Sequence, residues 1–128
     1  MRYFLRLALM VLVWHCFESA SARAYSTFGD GTESCGAYVQ AAEREKMNPM
    51  RPEYVRDRYY IGFTSFANGF ISGANMMGMT VGQSGNIGHG SDVDGRMLWL
   101  ENWCRQHPVS MFTDAVAQLV VFLKNQRQ

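Results

Sequence analysis

The sequence predicts a small all-α bundle, and three observations carry that prediction. Apolar side chains recur at three-and-four spacing in several separate segments, and no alternating apolar/polar run is long enough for a convincing strand. Asn48-Pro49, Arg51-Pro52, the glycine-rich stretch Gly78–Ser91 and His107-Pro108 cut the chain into helix-sized pieces. At 128 residues the chain has room for one domain.

The N-terminus reads as an export signal. Met1-Arg2 and Arg6 give a positive start, and Leu7 to Trp14 is an unbroken apolar run of eight residues. Ala22-Arg23-Ala24, or Ala20-Ser21-Ala22, then offers a small-x-small cleavage pattern. The run is too short to span a bilayer, which takes roughly 20 apolar residues. Lipid attachment at Cys16 is disfavoured because Trp14 and His15 stand where small residues are needed. We therefore expect residues 1–24 to be a signal peptide and residues 25–128 a single helical domain. The expected location is the periplasm or the external medium.

Four helices follow. Glu33 to Lys46 places Cys35, Tyr38, Val39 and Ala42 on one side, with Thr32 or Ser34 able to cap it. The second helix starts near Glu53 and runs to about Met77, with Tyr59, Phe63, Phe66, Phe70, Gly73 and Met77 on one stripe. Gly62 and Gly69 border that stripe. Interior glycines cost about 1 kcal/mol each relative to Ala, so this helix is expected to have a backbone or ring pressed closely against it. Gly78 to Ser91, with five glycines and no formal charge, is expected to be a flexible loop. The third helix opens at Ser91-x-x-Asp94, a capping-box variant, and runs to about Arg105, burying Val93, Met97, Leu100 and Cys104. The fourth starts at Ser110. Its apolar positions, from Met111 and Phe112 to Leu123, cover nearly half the circumference, so it is expected to be deeply packed.

After removal of the leader, Cys35 and Cys104 remain as a pair, and export places them where such pairs close. The bridge would join the first helix to the third. On the chain-entropy model it contributes ~4 kcal/mol. Without a C-x-x-C spacing, a redox role is not expected. The leader also takes Arg2, Arg6, Arg23 and Glu18, leaving nine Lys and Arg against ten Asp and Glu. Nothing in that balance attracts nucleic acid.

Motifs that carry chemistry are weak. His89, Asp92 and Asp94 give one imidazole and two carboxylates, and a helix start already explains the carboxylates. A calcium loop needs Gly sixth and Glu twelfth, whereas counting from Asp92 Gly95 is fourth and Glu101 tenth. The glycines from Gly82 to Gly90 follow no strand and lead to no Lys-Ser/Thr, so no phosphate loop is formed. His107 has only unspecific carboxylate neighbours in sequence, Glu101 and Asp114. We expect no metal, no cofactor and no enzyme.

One feature points elsewhere. Between Arg58 and Asp92 there is no charged residue apart from His89, and Gly69-x-x-x-Gly73 and Gly78-x-x-x-Gly82 have the small-x-x-x-small spacing of packed membrane helices. Ser65, Thr64, Asn68, Ser72 and Asn75 argue against stable spanning. The alternative this leaves is a membrane-associated protein using residues 59–82.

The segment from Asp94 through Trp99, Trp103-Cys104 and His107-Pro108, followed by Phe112, Ala115 and an apolar run to Leu123, resembles the C-terminal half of small exported proteins of the HdeA-like group. These include HdeA-type acid-stress chaperones and Tai-type immunity proteins of type VI amidase effectors. An early cysteine in the first helix and the glycine- and aromatic-rich stretch from Tyr60 to Gly73 add to the likeness. The resemblance implies a four-helix orthogonal bundle that binds an unfolded client or a toxin and has no catalytic residues. In such a role Met76, Met77 and Met79 offer adaptable apolar contact. Gln83, Asn86 and His89 would sit on a protruding loop.

Overall fold

Ser34 is a good helix opener, and the first helix begins directly after it. In the computed structural model, which describes residues 27–47 and 57–126, α1 spans Cys35–Lys46, with the Ser34 hydroxyl accepting from the Ala37 amide. A single 3₁₀ turn, Gly29–Thr32, precedes it. The second helix, α2, runs Arg58–Thr80 behind an Asp57 cap whose carboxylate accepts from the Tyr59 and Tyr60 amides. Then come α3, Val93–Gln106, and α4, Phe112–Asn125. Among the described residues the architecture is four α-helices without a strand. The expected leader, residues 1–24, and the expected start of the second helix at Glu53 lie outside the described residues.

The core grows from α1. Cys35 is fully buried and bonded to Cys104 near the end of α3, with Cα atoms 4.8 Å apart across 69 positions. One turn on, Tyr38 is fully buried, and its hydroxyl donates to the Met97 carbonyl of α3 at 2.8 Å. Around that ring Phe112 of α4 and Phe63 of α2 close a triangle with centroids 4.7–5.3 Å apart, inside the range where aromatic pairs attract. Leu100, Val116 and Leu119 complete the interior. The turn between α3 and α4 is strapped to the start of α1. Cys35 and Gly36 donate backbone amides to the Ser110 and Pro108 carbonyls, and Phe112 donates to the Glu33 carbonyl. The strap satisfies donors that a helix N-terminus otherwise leaves open.

Charged pairs rim this core. Glu101, 6% exposed, accepts from Lys46 at 2.7 Å and from Arg105 at 2.8 Å. Burial alone would push its carboxyl up, but the hydrogen bonds and charge of Lys46 and Arg105 outweigh it and hold the group below the usual carboxylate range. Asp57 follows the same pattern. Burial opposes ionisation, yet the Tyr60 amide and the Arg44 guanidinium at 3.2 Å hold its carboxyl low.

Several expectations from the pattern need correction. The buried face of α2 is Phe63, Ala67 and Ile71, flanked by half-buried Tyr60, Phe66 and Phe70. Tyr59 and Met77, at the ends of the expected stripe, are exposed: at the N-terminal end Tyr60 rather than Tyr59 stacks on Tyr38, and at the C-terminal end α2 overruns its partners. Tyr59 instead lies under the Arg44 guanidinium. A Cβ at Gly69 or Gly73 would meet nothing within 4 Å, so the close approach expected there is absent. At Gly62 the approach is real, but the neighbour is the Asp30 carboxylate of the 3₁₀ turn rather than a backbone or a ring. Val93 is 39% exposed rather than buried. Asp92, not Ser91, caps α3, through the Gly95 amide. Finally, α4 opens at Phe112 rather than Ser110, since the strap holds the preceding residues extended.

Two outcomes follow. Gly69→Ala and Gly73→Ala should each raise stability by about 0.5–1 kcal/mol in urea titrations, whereas Gly62→Ala should lower it. Stability should also fall as pH drops. Both Glu101 and Asp57 titrate below their unfolded values, so their contribution is complete above about pH 4.5 and is lost as pH passes down through the folded values. Glu101→Gln should cost about 1–2 kcal/mol at pH 7 and flatten the acid limb of the stability curve; an unchanged limb would refute this assignment.

Candidate functional site

The most distinctive surface is the C-terminal end of α2. With 23 residues that helix is about 34 Å long, against about 21 Å for the 14-residue α3 and α4. Its last buried residue is Ile71, and none of residues 72–80 is buried. The final ~13 Å of the helix therefore overhangs the bundle. Met76, Met77, Met79 and Val81 on this end are 62–68% exposed.

The glycine-rich segment does not trail away from this overhang; it folds back along it. Gln83 donates its amide to the Gly78 carbonyl at 2.8 Å. Asn75 clasps the returning strand of loop, donating from Nδ2 to the Ile87 carbonyl at 3.1 Å and accepting at Oδ1 from the Ile87 amide at 2.6 Å. Gly85 passes so close that a Cβ there would meet the Met79 side chain and the Asn75 carbonyl. Gly82, Gly88 and Gly90 take positive φ of 73–85°, a region other residues rarely adopt. The loop closes on α3, where the Ser91 hydroxyl donates to the Gly88 carbonyl and Arg96 donates to the Ser91 carbonyl. The expected flexible loop is thus a pinned one.

The structure therefore brings both groups of sequence-derived residues to one end of the molecule. Met76, Met77 and Met79 belong to the helix, while Gln83, Asn86 and His89 are exposed on the loop folded against it. Sequence reasoning missed Asn75, Ile87 and Arg96, which hold the loop. An Asn inside a helix is mildly unfavourable and was the available signal. Its use as a two-pronged clasp becomes visible only once Ile87 lies opposite it.

The other residues weighed in the sequence lie elsewhere. Among the described residues no group of three His, Cys, Asp or Glu side chains is placed to hold a metal. His107 stacks on Trp103 with centroids 4.1 Å apart, and its Nδ1 lies 2.9 Å from the Trp103 carbonyl. Glu101 is occupied by Lys46 and Arg105. No helix among the described residues is long and apolar enough to cross a membrane. Compared with family models, curated proteins and solved structures, the chain matches none.

Replacing Asn75 with Ala should free the loop while leaving the core intact. The expected cost is about 1–2 kcal/mol. Amide exchange at 85–91 should accelerate, with the amides around Tyr38 and Leu100 unchanged; equal exchange in both proteins would show that the clasp is not what holds the loop.

Proposed function

We propose that this is an exported, HdeA-like protein of a bacterial envelope that works by binding other proteins, and that it engages them through the overhanging end of α2 and the loop folded on it. The observation that carries this reading is the uncharged overhang itself. Methionines are flexible and polarisable, and surfaces built from them accommodate partners of varied shape. Contiguous exposed apolar groups on a small protein commonly mark an interaction site.

Within this reading a chaperone of unfolded clients comes first. Support comes from where the depressed carboxyls sit. Asp57 caps α2 and pairs with Arg44, and Glu101 bridges α1 and α3. Protonation weakens both ties, but the Cys35–Cys104 bond keeps α1 on α3. The element set loose by acid is then α2, whose inner face carries Phe63, Phe66 and Phe70. Acid would enlarge the apolar surface that the overhang already presents. Neutralisation of a toxin is the second reading, favoured by the Asn75 clasp, which presents Gln83, Asn86 and His89 as a fixed projection.

The test is suppression of client aggregation at about pH 2–3 and at pH 7. The native protein should suppress in acid. The Met76→Ser, Met77→Ser, Met79→Ser triple variant should stay folded at pH 7 with its melting temperature lowered by a few degrees, yet require several-fold more protein for the same effect. Equal potency of the two would remove the overhang from the mechanism, and no suppression at either pH would remove the chaperone. Co-flotation of the protein with liposomes at pH 7 would favour membrane docking instead.

A further inference from the structure

Beneath the loop, Arg96 lies between two concavities of about 410 and 440 Å³. The smaller has the character of a ligand site. The loop residues Gly88–Ser91 form one wall, Arg96 and Trp99 of α3 another, and Leu119, Phe122 and Leu123 of α4 the third. Leu119 at its base is 1% exposed, and the Trp99 and Phe122 rings stand 5.3 Å apart. The volume falls within the range of about 300–1,000 Å³ typical of small-molecule sites.

Arg96 is the unusual component. Its Nη1 donates to the Ser91 carbonyl at 2.7 Å and hydroxyl at 3.0 Å, and its Nη2 donates to the Asn68 side-chain oxygen at 3.1 Å. Its Nε is buried without an acceptor and beyond a ligand's reach, and both Nη1 hydrogens are used, so the donor left for a ligand is the second hydrogen of Nη2. Each of these acceptors is neutral, and among the described residues no carboxylate lies within ion-pairing distance of it. Arg44 and Lys46 each have one, and Arg105 has two. A cation drawn half out of water onto neutral acceptors leaves its desolvation only partly offset, and an anion supplied from outside would complete it.

We propose that this concavity binds a small carboxylate carried on an apolar body, of the medium-chain fatty-acid class. The carboxylate is directed to the Nη2 edge of the Arg96 guanidinium, and the hydrocarbon lies along the packed Trp99–Phe122 pair and against Leu123. Arg96 supplies charge-assisted hydrogen bonding, which favours an anion over a neutral polar head. The apolar walls exclude ions that have no body to bury. The site is distinct from the methionine-bearing overhang, because its walls are α3, α4 and the base of the loop, and it shares only His89 with the proposed partner-binding residues.

The probes are octanoate, 1-octanol and acetate, followed by equilibrium dialysis of the purified protein at pH 7. Octanoate should bind saturably and about ten- to a hundredfold more tightly than octanol, with acetate failing to bind at the same concentrations. Arg96→Gln, which keeps a donor for the loop, should bring octanoate down to the affinity of octanol. Because Arg96 also pins the loop, a second variant leaves it untouched. Gln126→Glu, at the exposed wall of the concavity, should weaken octanoate several-fold and leave octanol unchanged. Equal binding of octanoate and octanol, absence of saturable binding, or octanoate binding insensitive to both variants would each overturn the proposal. The methionine triple variant should bind octanoate like the native protein, so failure here and failure of the partner-binding reading are separately visible.

Discussion

The bond between Cys35 and Cys104 is the constraint from which the rest of the fold is built. It fixes the first residue of α1 against the last turn of α3, so that Tyr38, one turn along, has a single place to go. There its hydroxyl finds the Met97 carbonyl, and its ring becomes the centre on which Phe63 and Phe112 converge. Burial and the neighbouring Tyr60 and Glu101 push that hydroxyl's pKa up, so it stays a donor across the physiological range. The strap from Ser110 and Pro108 to the start of α1 is a consequence of the same anchoring, since it joins two segments the bond has already brought together. Three helices are thereby tied covalently or by backbone hydrogen bonds, and α2 is not.

That asymmetry explains the shape of the molecule. Held by side chains alone, α2 packs through Phe63, Ala67 and Ile71 and then continues beyond the bundle. Its N-terminal end is kept in place by Asp57, and the 3₁₀ turn leans on it through Gly31 and Gly62. The ring of Phe66 leaves no room for a Cβ at Gly31, and the Asp30 carboxylate leaves none at Gly62. The longest helix is thus the one with no covalent or backbone tie behind its titratable pair, Asp57–Arg44, and this is the physical content of the acid-response reading.

Much of this was legible in the chain. The four helices, the break at His107-Pro108 and the pairing of Cys35 with Cys104 all come from spacing and parity, because each depends on local geometry or on a count. What was misplaced was angular or non-local. A stripe through Tyr59, Phe63, Phe66 and Met77 is as good a helical face as one through Phe63, Ala67 and Ile71. Only the position of α4 and α1 decides between them, and no single helix records where its neighbours end. The same limit hid Gly62, whose partner Asp30 is 32 positions away, and the clasp of Asn75 on Ile87. Arg96 escaped notice because an arginine near a helix start is ordinary in sequence. Its neutral surroundings exist only in three dimensions.

The uncharged stretch from Tyr59 to Ser91 is where sequence and structure inform each other most. Read alone, its hydroxyls and amides argue against a hydrocarbon environment, and its lack of charge argues against an ordinary solvent face. The structure shows how both hold together. The hydroxyls of Thr64, Ser72 and Thr80 donate back to the carbonyls of Tyr60, Asn68 and Met77, one turn earlier. Asn68 and Asn75 are occupied by Arg96 and Ile87. Polar atoms consumed within the helix ask little of water or of a partner, and what the end of α2 presents is Met76, Met77, Met79 and Val81, with Gln83, Asn86 and His89 exposed on the loop beside it. Such a surface can be covered without stripping hydration from a charge, the largest cost in forming most interfaces. The polar residues that weaken the case for a membrane span are therefore the same ones that support the partner-binding reading proposed for this end of α2.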